Sequence, residues 1–246
     1  MTADLMTEQV AQPKQAPPMS NVKLAWLVLT SPKEAFAYLR EHPRFWFPLL
    51  LLILGHIAVA LWYLAVVDRA WLVESILPSD ANNPQAQETR DVAGAISGMI
   101  LFLTAFGPVF DLVIFRTLDA VYYFLVANAT NIRSTFTHWL ALSCWSSLPR
   151  IALFIAPAIA LLVADDGQIS KGDLQFFSLN DVFFHLQSNE PLFALTSRLT
   201  ILHPLVWLLS IIGMRELSGR SVVFASTVVL LPWLCIYGVR VITAFV

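Results

Sequence analysis

The chain has 246 residues, of which 57% are hydrophobic and 13% charged, and its formal net charge is −2. Soluble domains carry about 25% charged residues, so an ordinary soluble domain is excluded; the mean hydropathy of +0.68 agrees. Lys and Arg form no basic stripe that could track a phosphate backbone, which excludes a nucleic-acid partner.

Residues 1–22 open with a Gln-, Pro- and Ala-rich stretch that has no apolar run and no cleavage pattern. They read as a flexible cytoplasmic tail, not a signal peptide, and residues 23–246 read as one membrane domain. Ser31–Glu41 comes next as a short amphipathic helix. Ser31 is placed to cap it, Pro32 takes the first helical position, and Glu34 completes a capping box. His42-Pro43 ends it, because a residue before proline avoids the α region. Phe36 and Leu39 share its apolar face, and the expectation is a helix lying in the headgroup plane.

Five apolar runs follow. A bilayer core takes about 20 apolar residues in helical form, which predicts an all-α, polytopic five-helix bundle with spans at about 45–67, 94–118, 139–164, 196–214 and 221–242. The first run, Phe45–Val67, has no charge. The second begins at Val92 and continues past Asp111 to Ala129. As one helix that stretch would be about 57 Å long against a core of about 30 Å, so it must tilt, project or bend, and Gly107-Pro108 offers a kink. The third, His138–Ala164, is apolar apart from Arg150. Leu179–Ser188 reads as a second interfacial helix, introduced by Ser178 and Asp181 and carrying a Leu179, Val182, Phe183 and Leu186 stripe. The fourth, Leu199–Met214, is short, and Leu192–Ser197 can extend it. The fifth is Ser221–Val239.

The connecting segments alternate in charge. Lys14, Lys23, Lys33, Arg40, Arg44, Arg133, Arg215 and Arg220 fall on one side, against Arg69, Arg90, Lys171 and Arg198 on the other. The positive-inside rule then sets the N-terminus in the cytoplasm and the C-terminus outside. Trp46, Trp71 and Trp139 lie near span ends as aromatic-belt anchors. Gly94-x-x-x-Gly98 and Ala156-x-x-x-Ala160 allow close helix packing, within the monomer or in a homo-oligomer.

Four ionisable residues lie inside the runs: Asp111, Arg116, Asp119 and Arg150. Each costs about 2.5–3.5 kcal/mol at the bilayer centre, so the expectation is pairing. Arg116 and Asp119 are i, i+3 neighbours, and Arg150 is placed at the depth of Asp111 or Asp119. The cluster reads as a structural ion pair, or as a site for a lipid headgroup or an ion. His56 and His203 have no second ligand at helical spacing and read as packed or hydrogen-bonded residues. Cys144 and Cys235 read as small apolar core residues. No metal, cofactor or catalytic constellation is expected, since no phosphate loop, H-E-x-x-H or G-x-S-x-G occurs.

Several landmarks together resemble the Yip1 domain family in its compact bacterial form. They are Ser31-Pro32-Lys33-Glu34-Ala35-Phe36 with His42-Pro43 and Phe47-Pro48, the polar turn Asn128–Arg133 before Phe136, Trp145-Ser-Ser-Leu-Pro149, and Leu205-Val-Trp207 through Gly213-Met214 before Ser221 and Ala225. The resemblance covers residues 24–246. It implies an integral protein of the bacterial inner membrane without enzymatic activity. Eukaryotic members bind Rab-type GTPases and one another, but their DLYGP-type signature is absent here, and Phe106-Gly107-Pro108 lies inside an apolar run. The functional expectation is a membrane organiser that recruits membrane or cytoplasmic proteins through its N-terminal segment. The alternative is a small transporter or lipid-handling protein built on the Asp/Arg cluster.

Overall fold

A computed structural model describes residues 19–68, 71, 84–163, 168–169, 176–187 and 189–244, and within 84–105 the side chains of 98, 99, 102 and 103 only. The tail before residue 19 and most of both acidic connecting segments lie outside this set, as do the side-chain surroundings of Gly94 in the Gly-x-x-x-Gly pair. The described elements are helical, with one isolated antiparallel bridge between Ser178 and Thr200.

The first helix, α1 (Asn21–Thr30), is one the apolar pattern does not announce. Ser20 caps it by accepting from the Lys23 N–H at 3.2 Å. Leu24 and Val28 are buried, while Val22, Trp26 and Leu29 on the other side are exposed. Both faces are apolar, so no polar stripe marks the element as an amphipathic helix. Its last bond runs from the Ser31 N–H to the Leu27 carbonyl, so Ser31 closes α1 and opens α2 (Pro32–Glu41) at once. That double duty holds its backbone at φ −141°, ψ 62°. The Ser31 hydroxyl makes no capping bond there, and the expected capping box does not form. Proline at the start and His42-Pro43 at the end behave as the sequence predicts. The apolar face of α2 is spent on protein: Ala35, Phe36 and Leu39 are fully buried.

Helix α3 (Trp46–Val66) has 21 residues, about 32 Å of rise. Helix α4 (Pro84–Ala129) runs unbroken through Pro108 for 46 residues, about 69 Å. Its inward stripe is Leu112, Arg116, Ala120, Tyr123 and Ala127, while Met99, Phe102, Leu103 and Phe110 are exposed. Helix α5 (Phe136–Ser146) follows, buried on all sides from Ala141 onward. A 3-10 turn (Leu148–Ile151) links it to α6 (Ala152–Val163) at a bend of 47°. Pro149 cannot donate to the preceding turn, and a sharp bend belongs at such a residue. Beyond it, the predicted Leu179–Ser188 helix is one π turn, Asn180–Phe184, ended by His185 at φ 52°. The Asn180 side chain accepts from the Leu186 N–H at 2.9 Å and donates to the Leu186 carbonyl at 3.2 Å. Asn offers the backbone this alternative to a continuing helix. Helix α7 (Phe193–Thr196) is a single turn, separate from α8 (His203–Ser218), so Leu192–Ser197 does not extend the fourth run. Helix α9 (Val222–Thr243) closes the bundle, capped by the Ser221 hydroxyl.

Among the described residues, α3 and α9 are long and apolar enough to cross a membrane alone, and the bent α5–α6 pair makes a third candidate. α8 stops at 16 residues, about 24 Å. The main core gathers α1, α2, α4, α5, α8 and α9 around Phe36, Trp139, Leu142, Trp145 and Met214. Trp139 is thus a core residue and not a belt anchor; Trp46, at 62% exposure, fits the belt. Cys144 is buried, whereas Cys235 is exposed on α9.

Candidate functional site at the break in the bent span

Arg116 is the centre of the polar residues inside the apolar helices, with 3% of its surface exposed. Its Nη2 pairs with Asp119 Oδ2 at 3.1 Å along α4. Its Nη1 donates to Ser147 Oγ at 2.6 Å and to the Ser143 carbonyl at 3.4 Å. The reason lies in the bend. In an unbroken helix the Ser147 N–H would bond the Ser143 carbonyl; here it turns to Cys144 instead. The freed carbonyl is taken by the Ser146 hydroxyl at 3.3 Å, the Ser147 hydroxyl at 2.7 Å and Arg116. A guanidinium set against the C-terminal end of α5 also opposes the negative end of the helix dipole. Ser143 Oγ in turn donates to Asp119 at 3.4 Å. Arg116, Asp119, Ser143, Ser146 and Ser147 therefore form one network that makes a broken helix tolerable in an apolar interior.

The other two sequence candidates stand apart from that network. Asp111 is exposed and makes no hydrogen bond or ion pair with described residues. Eight residues at 100° each leave it about 80° away from Asp119 around the helix. Arg150 sits in the 3-10 turn and does not bond to either aspartate. Its neighbours Leu148, Pro149 and Ile151 line an apolar surface groove with Leu29, Ile155 and Phe177. Arg150 itself faces the bundle, in electrostatic reach of Arg116, Asp119 and Tyr237, and of His56 and His203. His56 Nδ1 bonds the Leu52 carbonyl at 2.8 Å, and His203 Nδ1 accepts from the Thr200 N–H at 2.9 Å. His203 also meets the edges of Trp207 and Trp233, and Trp233 stacks on Tyr237. Sequence reasoning missed the serines as partners of Arg116, although Ser-Ser-Leu-Pro inside an apolar run carries the signal: two hydroxyls just ahead of a helix breaker.

A second set of polar contacts fastens the end of the bundle where α1 and α2 lie. His138 Nδ1 accepts from the Thr135 N–H at 3.2 Å, completing a capping box at the start of α5. Its Nε2 then carries the proton and donates to the Arg40 carbonyl at 3.1 Å. Trp145 Nε1 donates to the Arg44 carbonyl at 2.6 Å, and Trp139 Nε1 to Ser134 Oγ at 2.9 Å. Arg44 bonds the Met19 carbonyl and lies over the Tyr38 ring, 5.2 Å from its centroid. Arg220 donates to the Thr130 carbonyl at 2.7 Å. Lys23, Lys33, Arg133 and Arg215 point outward and are exposed.

A chain whose described elements are helical, with apolar helices long enough to cross a bilayer, is a membrane protein. The family model of the Yip1 domain matches residues 26–244, and the chain belongs to the Yip1 domain family. No curated protein and no solved structure matches it.

Proposed function

We propose that this Yip1-type protein is a non-enzymatic organiser that crosses the bacterial inner membrane five times and recruits partners at its N-terminal, cytoplasmic face. The observation that carries this reading is the fastened end of the bundle. There α1, α2, the Thr130–Thr135 turn and the end of α8 are tied by side chain to backbone bonds, and Lys23, Lys33, Arg133 and Arg215 are left outward. A rigid surface with outward cations suits a display platform on anionic lipid. Val22, Trp26 and Leu29 provide an apolar flank to seat in the bilayer.

The test is deletion of residues 1–18. A longer cut to residue 44 would remove Leu24, Val28, Phe36 and Leu39 from the core and confuse lost recruitment with lost folding. The short deletion, combined with Lys23→Glu, Lys33→Glu, Arg133→Glu and Arg215→Glu on the platform, is expected to leave the thermal midpoint in detergent unchanged and to abolish co-purification of cross-linked partners; recovery of the same partners would sink the recruiting role. For the five-crossing arrangement, periplasm-active reporters fused after residues 80, 133, 170, 219 and 246 are expected to be active at 80, 170 and 246 only.

Lipid handling is the second reading. It is favoured by Arg150, a guanidinium among the helices with no bonded partner among the described residues.

A further inference from the structure

We propose that the break between α5 and α6 is an oxyanion site, where Arg150 takes a phosphate or carboxylate group together with Arg116 and the indole N–H of Trp207. Where that oxyanion belongs to a lipid headgroup, the proposal rests on the lipid-handling reading.

The charges around the break do not balance. Two guanidiniums, Arg116 and Arg150, face one carboxylate, Asp119, whose Oδ2 is already engaged by Arg116 and Ser143. The other described groups in electrostatic reach of Arg150 are His56 on α3, His203 on α8 and Tyr237 on α9, and none of these is a second acid. The hydrogen-bond inventory is lopsided in the same direction. Arg116 Nε and Trp207 Nε1 are buried donors without an acceptor among the described residues, and the partly exposed Arg150 guanidinium has no bonded partner among them. Trp207 belongs to the aromatic group around His203, which is in electrostatic reach of Arg150. Two helices also begin here: α6 directly after the 3-10 turn, and α8 at His203. Helix N-termini carry a positive partial charge and draw anions. Broken helices that place such ends beside charged side chains inside a membrane form the ion and substrate sites of many transporters. An unpaired guanidinium among helices is costly. One monovalent oxyanion satisfies the surplus charge and the surplus donors together, and the guanidinium fork matches its geometry.

The shared chemistry is a singly charged oxyanion, supplied by an anionic lipid headgroup or by a soluble anion. The test uses the full chain in a neutral maltoside detergent and reads its thermal midpoint. The probes are dioleoyl phosphatidylglycerol, dioleoyl phosphatidylcholine, and sodium phosphate against sodium chloride at equal ionic strength. Phosphatidylglycerol is expected to raise the midpoint by about 5 °C and phosphatidylcholine to leave it in place. Arg150→Met should abolish the rise without lowering the probe-free midpoint. Trp207→Phe, which keeps the ring and removes one donor, should reduce the rise and decides the matter if Arg150→Met fails to fold. A rise with phosphate and none with phosphatidylglycerol keeps the site and ends the lipid-handling reading. A phosphatidylglycerol rise that survives both substitutions overturns the site and leaves lipid handling standing. No rise with any probe overturns both.

Discussion

At the α1–α2 end, Phe36, Leu39, Trp139, Leu142, Trp145 and Met214 belong to one core drawn from six helices. At the opposite end of α3, among the described residues, Tyr63 and Val67 cluster with Leu161 and Ile169, with Val59, Trp62, Leu64 and Trp71 packed against them. On the helices that leave the main core, Ile159, Leu162, Val163, Leu234, Val239 and Ile242 are exposed. Lipid tails solvate such side chains as well as protein does, so inside a bilayer apolar burial gives helices little reason to associate. The large core is therefore held by packing and hydrogen bonds of its own, whereas the described outward apolar side chains at the far end are ones that surrounding lipid solvates.

If that contrast is right, damage to the network joining the two regions should cost most. Arg116→Met strands Asp119 and strips the Ser143 carbonyl of a donor, and is expected to cost about 3–5 kcal/mol of unfolding free energy in detergent. Asp119→Asn keeps the shape and should cost less, while Asp111→Asn should be silent. Equal costs for the two aspartates would mean that Asp111 shares the network after all. Within the large core, Gly213 is the tightest point: a methyl group there would run into Leu142 and come within 2.9 Å of the Phe36 ring. Gly213→Ala is expected to cost about 1–3 kcal/mol, the usual range for overpacking. Trp145→Phe, which removes the bond to the Arg44 carbonyl, should cost about 1–3 kcal/mol by leaving that carbonyl without its donor. Denaturant titration of each variant in one detergent checks the order.

How much of this was legible in the sequence follows the same division. The apolar runs announce helices at α3, α5–α6, α8 and α9, because length and uncharged composition are properties of the chain alone. The Arg116–Asp119 pair is legible for the same reason, since i, i+3 spacing fixes both distance and direction. Depth in the membrane is only half of a position, however. Matching depths put Arg150 opposite Asp111 or Asp119, but the rotation of each helix, set by its packed neighbours, turned Asp111 outward and left Arg150 unbonded. Helix α1 escaped because Val22, Trp26 and Leu29 face out while Leu24 and Val28 face in, a pattern with no polar side. Trp139 escaped because aromatic residues near span ends anchor in headgroups or pack in cores with equal chemical ease, and only its neighbours decide.

The smallest expected effect tests the far region and the Gly-x-x-x-Gly reading together. Small residues at that spacing are used where backbones touch, yet a methyl group built on Gly98 meets nothing within 4 Å. At Gly55, which no such motif marks, the same methyl would come within 2.5 Å of the Phe154 ring. Among the described residues, close approach is thus carried by isolated glycines, Gly55 and Gly213. Gly98→Ala removes only backbone freedom in a helix and should stabilise the protein by about 0.5–1 kcal/mol, whereas Gly55→Ala must push Phe154 aside and should destabilise it. Gly98→Leu sharpens the point, because a large side chain would block any second helix seated on that face. Native mass spectrometry should give the same oligomeric state for Gly98→Leu and wild type. A loss of oligomer would show that another copy of the chain covers α4 there, and that the far region is held by a neighbour as well as by lipid.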